Sequence, residues 1–367
     1  MSEPVPQRIS PPSEASVVEG TRQRPRVVWP WYAGVAVALV LAVIGGVSFG
    51  SVSVPPGTVL SIFGHHLMGV PGDGSWSGAE ESIVWNVRLP RVILGAAAGA
   101  GLAMCGATLQ AMVRNVLADP YLLGISSGAS TGAAAAILFG VAGGLGAYAL
   151  PLSAFAGALV AAAGVYALAR SGGRMTSIRL VMAGVAIGYV LSATTSILVF
   201  SSDSPEGSRS VMFWLLGSLA LAQWNATVVV VILVVLLSAG ILFLWGRKLD
   251  ALSIGDDTAL TLGIAPGRLR VQLLIVVSLC IGTIVAASGS IGFVGLVIPH
   301  LARRFAGAVH RRMLPLTGLL GATFLVAADV IARTVWSPRE LPIGIVTALV
   351  GAPFLILLVR RFHASTT

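Results

Sequence analysis

The sequence predicts an all-α chain that crosses a membrane about ten times. Three observations predict it. Mean hydropathy is +0.91 and only 10% of the 367 residues are charged, against about 25% in an average soluble domain. Uncharged apolar runs of about 20 residues, the length a bilayer demands, recur along the chain. Basic residues cluster in alternate gaps between those runs, as they do when they set membrane topology.

In chain order, residues 1–28 are polar and rich in Pro, Glu and Arg, which predicts a disordered cytoplasmic tail. Arg22, Arg24 and Arg26 precede the first run, Trp31 to Val54, with Trp29, Trp31 and Tyr32 at the interface. That run is too long for a signal-peptide core and no small-residue cleavage site follows it. Residues 55–87 read as a polar loop holding His65, His66, Asp73, Glu80 and Glu81. Adjacent histidines without a third ligand favour solvation over a metal site.

The further runs are 92–113, 121–142, 147–169, 179–200, 226–245, 270–289, 292–306, 314–332 and 343–359. The weakest is 292–306, which contains Pro299, His300, Arg303 and Arg304. The piece 211–221 is too short to span and reads as a re-entrant or surface helix. With both termini cytoplasmic, 18 of the 23 Lys+Arg fall inside. Arg88, Arg91, Arg209, Arg333 and Arg339 fall outside, which fits an even number of spans. The net charge of +9 is thereby read as topology rather than as a nucleic-acid surface.

The polar residues limit the chemistry. A phosphate-cradling loop needs Lys followed by Ser or Thr; the chain's single lysine, Lys248, precedes Leu249. Any ATP that drives this protein is therefore bound by another chain. Asp329 is the one carboxylate well inside an apolar run, and Arg333 one turn on is its expected structural partner. An ion-coupled carrier acting alone, or a membrane receptor, are the competing classes. Ser126, Ser127 and the five histidines show no nucleophile–base spacing. Cys105 and Cys280 lie in apolar runs and read as packing residues. The insert 246–269 mixes Leu252, Ile254, Leu260, Leu262 and Ile264 with Asp250, Asp256 and Asp257. Gly255 and Gly263 divide it into two short amphipathic helices whose apolar side expects a partner.

Six motifs in order then resemble one family. They are RLPR at 88–91, GATLQ at 106–110, RNVLADPYLLGISSGA at 114–129, LGSLA at 216–220, SGSIGFVGLVIPHLAR at 288–303 and ELPIGIVTALVGAPFL at 340–355. The chain resembles the FecCD/BtuC-like permease subunits of bacterial ABC importers for ferric siderophores, haem and vitamin B12. The resemblance runs from about Trp31 to Arg361.

The resemblance implies a type II ABC importer permease, with residues 29–367 as a ten-helix transmembrane domain in the bacterial inner membrane. It implies a second permease copy or homologue, two ATPase subunits that bind ATP and Mg, and an extracytoplasmic substrate-binding protein. No cofactor is expected in this chain. Arg88, Arg91 and Arg333 match positions that dock the binding protein. Asn115, Leu117, Thr176 and Ser177 match a cytoplasmic gate, although Val116 stands where relatives often have Pro. Leu252, Gly255, Asp256, Leu262 and Gly263 match the helices that couple to the ATPase. The segment RSVMFWLLGSLA at 209–220 is more similar to siderophore permeases than to those for haem or cobalamin.

Overall fold

The structure, a computed structural model, describes residues 28–364 except 51, 70–73, 75, 172 and 174. The tail expected to be disordered lies almost wholly outside the described residues. All ten expected runs are helices. Among the described residues, seven helical stretches are long and apolar enough to cross a membrane, and two shorter apolar ones join them.

Helix α1 spans Trp29–Ser48. It stops six residues short of the expected Val54, and the cause is Arg88. That guanidinium takes the carbonyls of Val47 and Ser48 at 2.8 Å each, and that of Val52. The expected plain loop at 55–87 is also corrected. Helix α2, Pro56–Met68, starts where Pro suits a first turn and ends on Gly69 at φ +62°. Helix α3, Gly78–Ser82, is opened by a capping box between Ser77 and Glu80. His66 reaches Glu81 at 2.8 Å and stacks on Trp85 at 4.1 Å between ring centres. A π-helical turn at Ile83–Arg88 leads straight into helix α4, Leu89–Val113.

Helix α4 is the spine of the bundle and most of its residues are buried. A 3₁₀ turn, Pro120–Leu123, precedes α5, Ile125–Phe139. Then come α6, Ala149–Arg170; α7, Ser177–Phe200; α8, Pro205–Leu215; and α9, Ala226–Leu244. The insert forms α10, Gly246–Ile254, and α11, Asp256–Thr261. The chain closes with α12, Pro266–Ser288; α13, Val294–Ala306; α14, His310–Thr334; and α15, Ile343–Ala364.

Helices α9, α12, α13 and α14 pack around α4. Small residues permit this closeness. A Cβ on Gly99 would sit 2.2 Å from the Gly321 carbonyl oxygen, so α4 and α14 touch backbone to backbone. Helix α13 is too short to span, as its Pro299, His300 and two arginines forewarn.

Candidate functional site

At 25 residues, α4 is about 37 Å long, so its two ends lie on opposite sides of the bundle. Each end carries a buried ionic cluster. At the first end, Arg91 donates from Nε to both oxygens of Asp329 at 3.0 and 3.2 Å. Its Nη1 holds both oxygens of Glu340 at 3.1 and 2.9 Å. Arg333 closes the group, 3.0 Å from Asp329 Oδ2 and 2.9 Å from the Gly46 carbonyl oxygen. Arg88, Arg91 and Arg333 are brought to one end of the bundle, but beneath its surface, each 7% exposed or less. In this conformation their guanidinium groups are engaged by acceptors inside the chain. Taking a guanidinium out of water is costly, and these internal acceptors offset that cost. The partner expected for Asp329, Arg333, is present, and Arg91 is a second one.

At the other end, α4 stops on Arg114 in the left-handed region, φ +54°. Asn115 and Leu117 lie in the exposed turn that follows, where the Leu117 N–H donates to Asn115 Oδ1 at 2.9 Å. Gln110 ties this turn to α13, donating to the carbonyls of Ala118 and Gly295 at 3.3 Å each. Thr176 caps α7, accepting from the Arg179 N–H at 3.4 Å. Ser177 donates to the Met112 carbonyl at 3.2 Å, so α7 begins against the end of α4. The four expected gate residues thus share one end of the bundle.

The insert packs onto the same end. Asp250 accepts from the backbone N–H and from Nδ1 of His310 at 2.9 and 2.6 Å, which fixes α10 to the start of α14. Burial raises the Asp250 pKa, but these bonds outweigh it and hold the carboxyl below its ordinary range. Asp256, at the start of α11, pairs with Arg270 of α12 at 2.7 Å. Gly255 is the extended joint between the two short helices, and Gly263 follows them at φ +73°. Of the expected coupling residues, Leu252 is fully buried and faces the core, a correction to its outward role. The apolar surface that the insert presents is Ile254, Leu260 and Leu262, which are 70, 47 and 64% exposed. Arg270 was absent from the expected set. The signal for it was a cation in the first turns of α12, where the helix dipole disfavours one unless a carboxylate is near.

Three of the sequence motifs meet elsewhere. The Ser218 N–H donates to the Ser288 carbonyl at 2.8 Å, Ile343 to Gly217 at 3.2 Å and Gly344 to Leu216 at 3.0 Å. LGSLA is thereby stitched between the break after α12 and the start of α15. Gly217 sits at φ +75°, and a Cβ there would lie 2.6 Å from the Ser290 carbonyl oxygen.

Among the described residues, seven long apolar helices and two shorter ones, with a polar insert at one end, define a polytopic membrane protein. The profile of the FecCD transport family matches residues 38–361, and the chain belongs to that family. It is 39% identical to the cobalamin import system permease protein BtuC of Halobacterium salinarum, over 91% of this chain and 96% of that one. It is 38% identical to the ferric enterobactin transport system permease protein FepD of Escherichia coli strain K12, over 89% of this chain and 94% of that one. A solved ABC transporter in an inward-facing conformation, described as of the metal-chelate type, superposes with a TM-score of 0.78 at 32% identity. That match covers 90% of this chain and 98% of the other. The protein is a multi-pass permease of the ABC importer class.

Proposed function

We propose that this chain moves a ferric siderophore across the bacterial inner membrane by alternating access, paired with a second permease copy or homologue. Two separate ATPase subunits, binding ATP and Mg, supply the energy through the insert 246–269. The observation that carries this reading is the insert itself. Ile254, Leu260 and Leu262 form an apolar face on two short helices that Asp250 and Asp256 anchor to the bundle. An apolar face held in place this way suits a protein partner. Both termini, Asn115, Leu117, Thr176 and Ser177 then lie on the cytoplasmic side, the four residues as the gate.

The Arg88, Arg91 and Arg333 end faces outward, toward the binding protein. Glu340, with a side chain 44% exposed, covers Arg91 there. Docking by Arg91 requires a carboxylate of the binding protein to take the place of Glu340.

The siderophore assignment rests on RSVMFWLLGSLA at 209–220 and on the likeness to a ferric enterobactin permease. The likeness to a cobalamin permease favours a second reading, cobalamin import by the same mechanism. The ion-coupled carrier loses its support, because Asp329 lies between Arg91 and Arg333. The test is reconstitution in liposomes with the ATPase and binding protein, with ⁵⁵Fe-loaded catecholate siderophore, haemin and cyanocobalamin offered in parallel. ATP-dependent uptake of the iron chelate is expected. Uptake of cyanocobalamin alone moves the assignment to the second reading. Gradient-driven uptake by this chain alone rejects both.

A further inference from the structure

Arg270 lies in the second turn of α12, yet its side chain has no exposed surface. A guanidinium has five N–H donors, and here each has an acceptor. Nη1 and Nη2 grip the two Asp256 oxygens at 3.0 and 2.7 Å. Nη2 also donates to Ser177 Oγ at 2.9 Å, and Nη1 to the Met175 carbonyl at 3.4 Å. Nε donates to the Met112 carbonyl at 3.3 Å. Ser177 in turn donates to that same Met112 carbonyl. One planar group therefore joins the insert, the start of α7 and the end of α4, three places far apart in sequence.

We propose that Arg270 is the strut that carries movement of the insert to the cytoplasmic gate. It is a positioning residue that acts through Ser177 and Met112. This rests on the importer reading above. The physical reasons are two. A fork–fork pair between guanidinium and carboxylate fixes angle as well as distance, so displacement of α11 displaces the guanidinium with it. A buried cation also cannot relinquish its acceptors without exposing an unpaired charge, so the pair moves as one body instead of slipping. Lysine, a point charge with three donors, cannot span the same set of acceptors.

The experiment uses the full complex with its ATPase in nanodiscs. A spin label is placed on Leu117→Cys; the native Cys105 and Cys280 are buried and do not compete for it. The label's spectrum is compared between nucleotide-free complexes and complexes trapped with ATP and vanadate, and scaled to the nucleotide trapped. The wild-type chain is expected to show a nucleotide-driven change. Asp256→Asn, Ser177→Ala and Arg270→Lys are each expected to lose most of it per trapped nucleotide. Because the two arms serve one strut, Asp256→Asn with Ser177→Ala loses no more than the worse single change. A merely structural role would lower the melting temperature and leave the change per trapped nucleotide intact. If Arg270→Lys does not fold, the other two variants decide. A full change in both of those variants, or losses that multiply in the double variant, overturns the strut and leaves the importer standing. A wild-type complex that traps nucleotide without moving the label overturns the importer reading itself.

Discussion

The two ends of α4 are held by ionic clusters built on different plans. At the Arg91 end, the central carboxylate is Asp329, on a long helix packed along α4, with a side chain 2% exposed. At the Arg270 end, the buried member is the cation, and its carboxylate comes from a six-residue helix with a side chain 34% exposed. The first plan clamps rigid elements to each other. The second ties a rigid element to a small projecting one. The difference teaches where a bundle resists and where it yields: a carboxylate enclosed on all sides fixes geometry, while a pair whose carboxylate is half-wet moves with the small helix that carries it.

Mutations can break or sharpen that contrast. The largest effect is expected from Asp329→Ala, which leaves Arg91 and Arg333 buried without their shared carboxylate. A loss on the order of 3–5 kcal/mol is expected, read as a lower melting temperature and a lower folded yield in detergent. A melting temperature equal to wild type would mean that the first cluster is no clamp. Next is Gly99→Val, whose Cβ would lie 2.2 Å from a backbone oxygen of α14 that cannot turn aside. Overpacking of about 1–3 kcal/mol is expected, with altered cross-linking between α4 and α14 as the second readout. Asp256→Asn keeps one oxygen acceptor but removes the counter-charge of the fully buried Arg270, so a loss of about 1–3 kcal/mol is expected. Its melting temperature should fall by less than that of Asp329→Ala, while gate movement per trapped nucleotide is mostly lost. Glu340→Gln is smallest, below about 1 kcal/mol, and equal melting of Glu340→Gln and Asp329→Ala would erase the distinction between outer and central carboxylates.

Much of this was legible in the residues. Most of the ten apolar runs marked helices because hydrocarbon thickness fixes the length of a spanning segment, although α13 is too short to span, and Asp329 announced its partner by standing one turn before Arg333. The misses share a cause: they depend on which side chain reaches across space. Arg88 ends α1 early by taking carbonyls some forty positions before it, and no local pattern reports that. Leu252 and Leu262 look alike in sequence, but only one faces the core. Arg270 counted as one more basic residue for topology, although its place in the opening turns of a helix asked for a carboxylate. The helices at 56–68 and 78–82 were available from Pro55-Pro56 and from the Ser77–Glu80 capping box, signals that polar composition masked.

The stitching of LGSLA into its two neighbours has a consequence for diversity. Its joints are main-chain bonds, so they depend on where the backbone runs and hardly on what it carries. Leu216 and Leu221, 40 and 73% exposed, can be exchanged for other side chains while the three strands of chain stay sewn together. A surface can be redecorated there without being rebuilt, provided Gly217 is left alone.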